Sequence, residues 1–197
     1  MTTDYFILIF SISILLVLFF LQIFYKTFSD TFRFLVSKWI FIISVISIVF
    51  WYFYLTGLQY IVWTDAGPPS LFFLPPYTSI IYLLQYHFVR FLMYYCISFI
   101  IATLFIFYGR RYNKKFGNRF FEDEELLIGG SAVFLLGNPS WMYVWIFYLL
   151  AVLLIGIGGT FYLNRILKRA EDRFPFYYLW MPLAIVAIII SELVIRN

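Results

Sequence analysis

Cysteine, histidine and charge are all scarce in this chain. Of its 197 residues one is Cys (Cys96), one is His (His87), and 12% are Asp, Glu, Lys or Arg. A single cysteine permits no internal disulfide. One His and one Cys cannot build a zinc site of the usual kind, which takes three or four such ligands. No Ser-His-Asp arrangement convinces, because the only His sits inside a hydrophobic segment. There is no Gly-rich phosphate loop and no RNA-reading motif, so the formal net charge of +4 does not point to nucleic acid. No metal or organic cofactor is expected. What fills the chain instead is apolar: 64% of the residues are hydrophobic and 25% of the whole chain is aromatic, with a mean hydropathy of +0.92. A soluble domain holds about 45–50% apolar and about 25% charged residues. The composition therefore excludes an ordinary soluble enzyme and a disordered chain. It predicts an all-α, polytopic integral membrane bundle.

Six spans are predicted, over residues 5–25, 38–63, 78–108, 120–137, 140–164 and 175–195. The whole chain, 1–197, reads as a single membrane domain, with neither an internal repeat nor a soluble module. The first run, Tyr5 to Tyr25, is long enough to cross, since about 20 residues span the hydrocarbon core. It lacks a basic leader and an A-x-A-like site, so it reads as a retained span rather than a cleaved signal. The third run is long, roughly 46 Å as a helix at about 1.5 Å per residue. It must tilt, protrude or break near His87; one tilted helix is expected, because a break spoils the alternation of charge.

That alternation sets the orientation. Lys26, Arg33 and Lys38 lie in the first connection. Arg110, Arg111, Lys114, Lys115 and Arg119 lie in the third, and Arg165, Lys168, Arg169 and Arg173 in the fifth. The second connection, Thr64 to Tyr77, and the turn Gly137-Asn138-Pro139 have no Lys or Arg. Basic connections stay in the cytoplasm, so both termini are predicted outside, in a multi-pass protein of a prokaryotic cell membrane. Tyr60, Trp63, Trp141, Tyr143 and Trp145 fall at the outer boundaries, where amphipathic rings settle. The apolar stretch Ser70 to Leu74, between Pro68-Pro69 and Pro75-Pro76, is expected at the outer interface.

Chemistry concentrates in Glu122-Asp123-Glu124-Glu125, just before an apolar run. Counted from Phe120, the fourth span reaches roughly 27 Å at about 1.5 Å per residue, so it carries these carboxylates in its own first turn. At about 100° per residue, Asp123 and Glu124 cannot share a face. One reading is a solvated acidic cap balanced by the basic stretch before it. The other turns a carboxylate into the bundle, where ionisable groups are costly and often functional. A second acid beside Asp123 would create a pair in which one carboxyl keeps its proton and the other activates water. Asp30 lies on the same predicted side as Asp123. Asp65 lies on the opposite side and becomes the alternative only if the third span is split. Arg90, His87 and Glu192 are the remaining polar candidates within spans. Arg90 is expected to snorkel or to pair with Glu192.

From about residue 100 to 190 the chain resembles prepilin peptidases, the GxGD class of membrane aspartic proteases. The resemblance lies in Gly109-Arg110-Arg111, in Phe120-Phe121-Glu122-Asp123-Glu124-Glu125-Leu126-Leu127, in Leu135-Leu136-Gly137 and in Arg173-Phe174-Pro175-Phe176. Phe120 and Glu122 stand where that family has its two motif glycines, and Glu125 stands where it has a lysine. The resemblance implies an aspartic endopeptidase that cleaves leader peptides at the cytoplasmic face. Asp123 and Asp30 would be its acid–base pair, and membrane lipid, a prepilin-like peptide and pilus or secretion components its partners. Two alternatives stay open. One is a catalytically inactive scaffold or assembly partner of a pilus or secretion system, which the absent glycines favour. The other is a small transporter with Arg90, His87 and Glu192 along its path.

Overall fold

The computed structural model describes residues 2–24, 27–117, 121–141, 143–162 and 176–195. Lys26, Arg119, Phe120 and the whole basic stretch from Arg165 to Arg173, with Phe174 and Pro175, lie outside them. The described residues form an all-α bundle: α1 (Thr2–Ile23), α2 (Asp30–Asp65), α3 (Ile80–His87), α4 (Met93–Lys115), α5 (Asp123–Leu135), α6 (Val144–Phe161) and α7 (Trp180–Ile195). A π-helical turn, Phe88–Leu92, joins α3 to α4. Four helical runs are long and apolar enough to cross a membrane: Phe6–Ile23, Asp30–Asp65, Ile80–Lys115 and Val144–Phe161.

Each long helix buries a narrow stripe and leaves the rest apolar and outward-facing. In α2 the buried residues are Arg33, Ser37, Ser44, Ile48, Tyr52 and Thr56. In α6 they are Val144, Tyr148, Val152 and Gly156. These steps of four and seven residues keep one face inward. The opposite faces carry large exposed side chains such as Phe50 (64% exposed) and Phe147 (69%). In water, contiguous apolar faces of this size would be an association hazard; in a bilayer they face a solvent of their own polarity.

The interior is α5. Every residue from Glu124 to Asn138 is buried, and α2, α4 and α7 pack around it. The expected fourth span, 120–137, is here a shorter helix. The helix has 13 residues, roughly 20 Å at about 1.5 Å per residue, and it is sheathed in protein rather than lipid. Irregular backbone at its ends is tolerable at membrane depth because protein surrounds it. Its glycines permit the close approach. A Cβ at Gly129 would stand 2.8 Å from the Trp180 ring, and one at Gly137 would collide with the Ser98 side chain.

One boundary also moves. The helix expected to begin at Lys38 begins at Asp30, because Ser29 caps it and accepts the Phe32 amide. The third run stays one helix of 36 residues, with the π turn where a break at His87 was considered. The predicted outer belt loses one member. Trp141 is fully buried and donates its indole N–H to Glu192 (3.1 Å). Trp63 packs against Phe73 of the proline-rich connection, at 5.5 Å between ring centroids, and against Tyr86 of α3, at 5.2 Å.

Candidate functional site

The last turn of α1, the first of α2, the last of α4, the first of α5 and the 3-10 turn Phe176–Tyr178 meet at one end of the bundle. Three tethers fix them. The Gln22 side-chain amide donates to the Tyr177 carbonyl. Asn113, buried in the last turns of α4, donates its amide N–H to the Phe121 carbonyl (2.6 Å) and accepts the Phe121 amide (3.1 Å). Glu125 reaches back to accept the Glu122 backbone N–H (3.0 Å), one half of a capping box, and also accepts the Trp180 indole N–H (3.2 Å). Glu125 is thus fully buried yet anchored to both its own helix start and α7.

Arg33 is the hub. It lies one turn into α2, with its side chain 7% exposed. Its guanidinium stands 3.1 Å from the Glu124 carboxylate and 3.7 Å from that of Glu122, and it pairs with Asp30 three residues before it. The Tyr177 ring lies against it, 5.9 Å from centroid to guanidinium carbon. Glu124 is more deeply buried than Arg33, whereas Asp30 projects into solvent. A buried carboxylate is tolerable only beside such a partner, so the Arg33–Glu124 contact explains why α5 can begin inside the bundle.

Beside this hub opens a cleft of roughly 540 Å³. Asp30, Arg33 and Phe34 of α2 line one wall; Glu122, Asp123 and Glu124 line the other. Four carboxylates against one guanidinium leave the cleft net negative. Asp123 sits in the first helical turn, on the exposed side, and Glu124 on the buried side, as the helical repeat requires. Among the described residues no group of His, Cys, Asp and Glu is arranged to hold a metal ion.

The structure brings Asp30 and Asp123 to the same cleft. It does not bring Asp65 there: Asp65 ends α2, roughly 52 Å from Asp30 at about 1.5 Å per residue. His87 and Arg90 share a ring, Tyr86, whose centroid is 4.4 Å from the Arg90 guanidinium carbon and 5.5 Å from the centroid of the His87 ring. Glu192 is held by Trp141 instead. Among the described residues no ion pair joins Arg90 to Glu192, so the expected pairing is not formed. The sequence reading missed the weight of Arg33, Glu124, Glu125, Asn113 and Trp180. One signal was available. With Ser29 as the cap, Arg33, Ser37 and Ser44 fall on one face of an otherwise apolar helix, and a polar stripe there must be buried against something polar.

No family model matches the chain, no curated protein matches it, and no solved structure matches it.

Proposed function

We propose that this multi-pass membrane protein is a prepilin-peptidase-like aspartic endopeptidase. It would cut a leader-like segment of a membrane-anchored polypeptide at the cytoplasmic face of a prokaryotic cell membrane. Six membrane passages with the basic connections inside complete this reading, α5 and α7 being the two short ones. The observation that carries it is that Asp30 and Asp123, far apart in sequence and on different helices, line one cleft. In the reaction one carboxylate takes a proton from water as it attacks the peptide carbonyl, and the other, protonated, donates to the leaving amine. Asp30, held in place by Arg33 at the mouth of the cleft, would take the first role. Asp123, on the opposite wall, would take the second.

Arg33 favours one other reading. A guanidinium already engaged with Asp30, Glu122 and Glu124 makes the cluster an anchor between α2 and α5. The protein would then be an inactive scaffold or assembly partner of a pilus or secretion system. Cleavage of a membrane-anchored peptide library by the protein reconstituted in vesicles separates the two. Cleavage that falls about 10²–10⁴-fold in Asp123→Asn and Asp30→Asn, the usual worth of acid–base catalysis, and persists in Asp65→Asn supports the peptidase. A folded wild-type protein that cuts nothing leaves the scaffold. Orientation is tested separately, with Cys96→Ala and single cysteines at 30, 65 and 123. An impermeant reagent applied to intact cells should label only position 65.

A further inference from the structure

Along α4 lies a second groove, of roughly 530 Å³, lined by Thr103, Ile106, Phe107, Arg110, Arg111 and Lys114. Its composition changes along its length. The half nearer the middle of the helix is apolar, with Phe107 exposed and Ile106 buried. The half at the helix end is cationic. The lining residues recur at intervals of three, four and seven, so they share one face of α4. Arg110 is steadied there, its guanidinium carbon 5.8 Å from the centroid of the Phe34 ring. Lys115, one residue further on, does not line the groove and stands instead over its neighbour Phe116, at 5.8 Å.

The axial spacing matches one kind of occupant. From Phe107, Arg110 lies roughly 4.5 Å and Lys114 roughly 10 Å further along the helix axis at about 1.5 Å per residue. The headgroup layer on each side of a bilayer is roughly 5–8 Å thick, the difference between a hydrocarbon core of about 30 Å and a full thickness of about 40–45 Å. With Phe107 at the edge of the hydrocarbon, the three cations fall within and just beyond the phosphate level. An apolar wall leading into three converging positive charges is complementary to a lipid with acyl chains and an anionic headgroup. A water-soluble anion would have no use for the apolar half, and a zwitterionic lipid none for the net positive half.

We infer that this groove is a binding site for an anionic phospholipid, with the acyl chain along Thr103 and Phe107 and the headgroup phosphate held by Arg110, Arg111 and Lys114. The inference is independent of whether the Asp30–Asp123 cleft hydrolyses peptides. It needs only that α4 crosses a bilayer.

The test uses the full-length protein purified in detergent with added phosphatidylglycerol or phosphatidylcholine, with retained lipid counted by native mass spectrometry. Wild type should keep phosphatidylglycerol in preference to phosphatidylcholine, and inorganic phosphate should not displace it. Arg110→Gln/Arg111→Gln/Lys114→Gln should weaken retention on the order of a hundredfold, at roughly fivefold per charge near a membrane surface. Lys115→Gln should retain it as wild type does. Equal retention of both lipids by wild type would overturn the inference, and these wild-type arms do not depend on how any variant folds. Displacement by phosphate alone would make the groove a free-anion site, which also overturns it. A loss in Lys115→Gln as large as in the triple variant would reduce the effect to the general charge of the helix end, with no site.

Discussion

The two ends of α5 solve the same problem differently. Each end lies inside protein, and each has a tryptophan that donates its indole N–H to a glutamate: Trp180 to Glu125 at the start, Trp141 to Glu192 beyond the finish. At the start the carboxylate belongs to α5 itself, is fully buried, and sits one residue from the Arg33–Glu124 ion pair. At the finish the carboxylate belongs to α7 and is half-buried, and the helix closes by bringing Gly137 onto Ser98. The start depends on charge, the finish on the smallness of a residue. Ion pairs gathered at the start are what a cleft for polar chemistry requires. Dense packing at the other end holds that cleft still.

The comparison breaks first at Arg33. Arg33→Met removes the cation and leaves Glu124 buried beside two other carboxylates. Breaking a buried pair from one side costs about 3–5 kcal/mol, so the variant should lose that much in unfolding free energy in detergent or fail to accumulate. Arg33→Met combined with Glu124→Leu should recover most of the loss, because replacing both partners by apolar side chains is often neutral. A double variant no more stable than Arg33→Met would mean that the anchor is not the Arg33–Glu124 contact.

The indole bonds sharpen the contrast. Trp180→Phe withdraws one donor from a fully buried carboxylate and should cost about 1.5–3 kcal/mol, the range for hydrogen bonds to charged groups. Trp141→Phe withdraws one from a carboxylate that water can reach, so its cost should be the smaller, about 1 kcal/mol. Urea or thermal unfolding of the two variants side by side measures the difference. Equal costs would remove the electrostatic distinction between the two ends.

Much of this fold is legible in the sequence, for a physical reason. Long apolar runs can do little but cross a membrane as helices, so the four long helices follow from composition and length. The acidic first turn of α5 is legible as well, since a helix start accepts negative charge. What escapes is the depth of α5. Residues Leu126 to Leu136 are as apolar as the lipid-facing runs, and apolarity does not distinguish burial in protein from burial in lipid. The difference lies in Gly129, Gly130 and Gly137, small enough to admit neighbours on all sides, and in Glu124 and Glu125, which no lipid would accept unpaired. The partner of Glu124 escapes for a related reason. Arg33 reads as one more basic residue of a cytoplasmic connection until the cap at Ser29 starts the helix earlier and turns Arg33 inward. Arg90 and Glu192 mislead in the opposite sense. They are opposite charges at matching predicted depth, but helix rotation directs one to Tyr86 and the other to Trp141.

The smallest predicted effects test whether tight packing is a property of α5 or of glycine in this protein generally. Gly129→Ala sets a methyl group 2.8 Å from the Trp180 ring. The ring is fully buried and tied to Glu125, so it cannot swing aside without loosening the anchor at the start of α5. Overpacking of this kind costs about 1–3 kcal/mol. Gly158, in lipid-facing α6, has nothing within 4 Å of the position a Cβ would take. There the same substitution meets only the intrinsic preference of a helix for alanine and should stabilise by about 0.5–1 kcal/mol. Thermal unfolding of the two single variants in one detergent should therefore shift in opposite directions. Shifts of the same sign would mean that α5 is no more tightly enclosed than α6, and that its neighbours yield to it as lipid does.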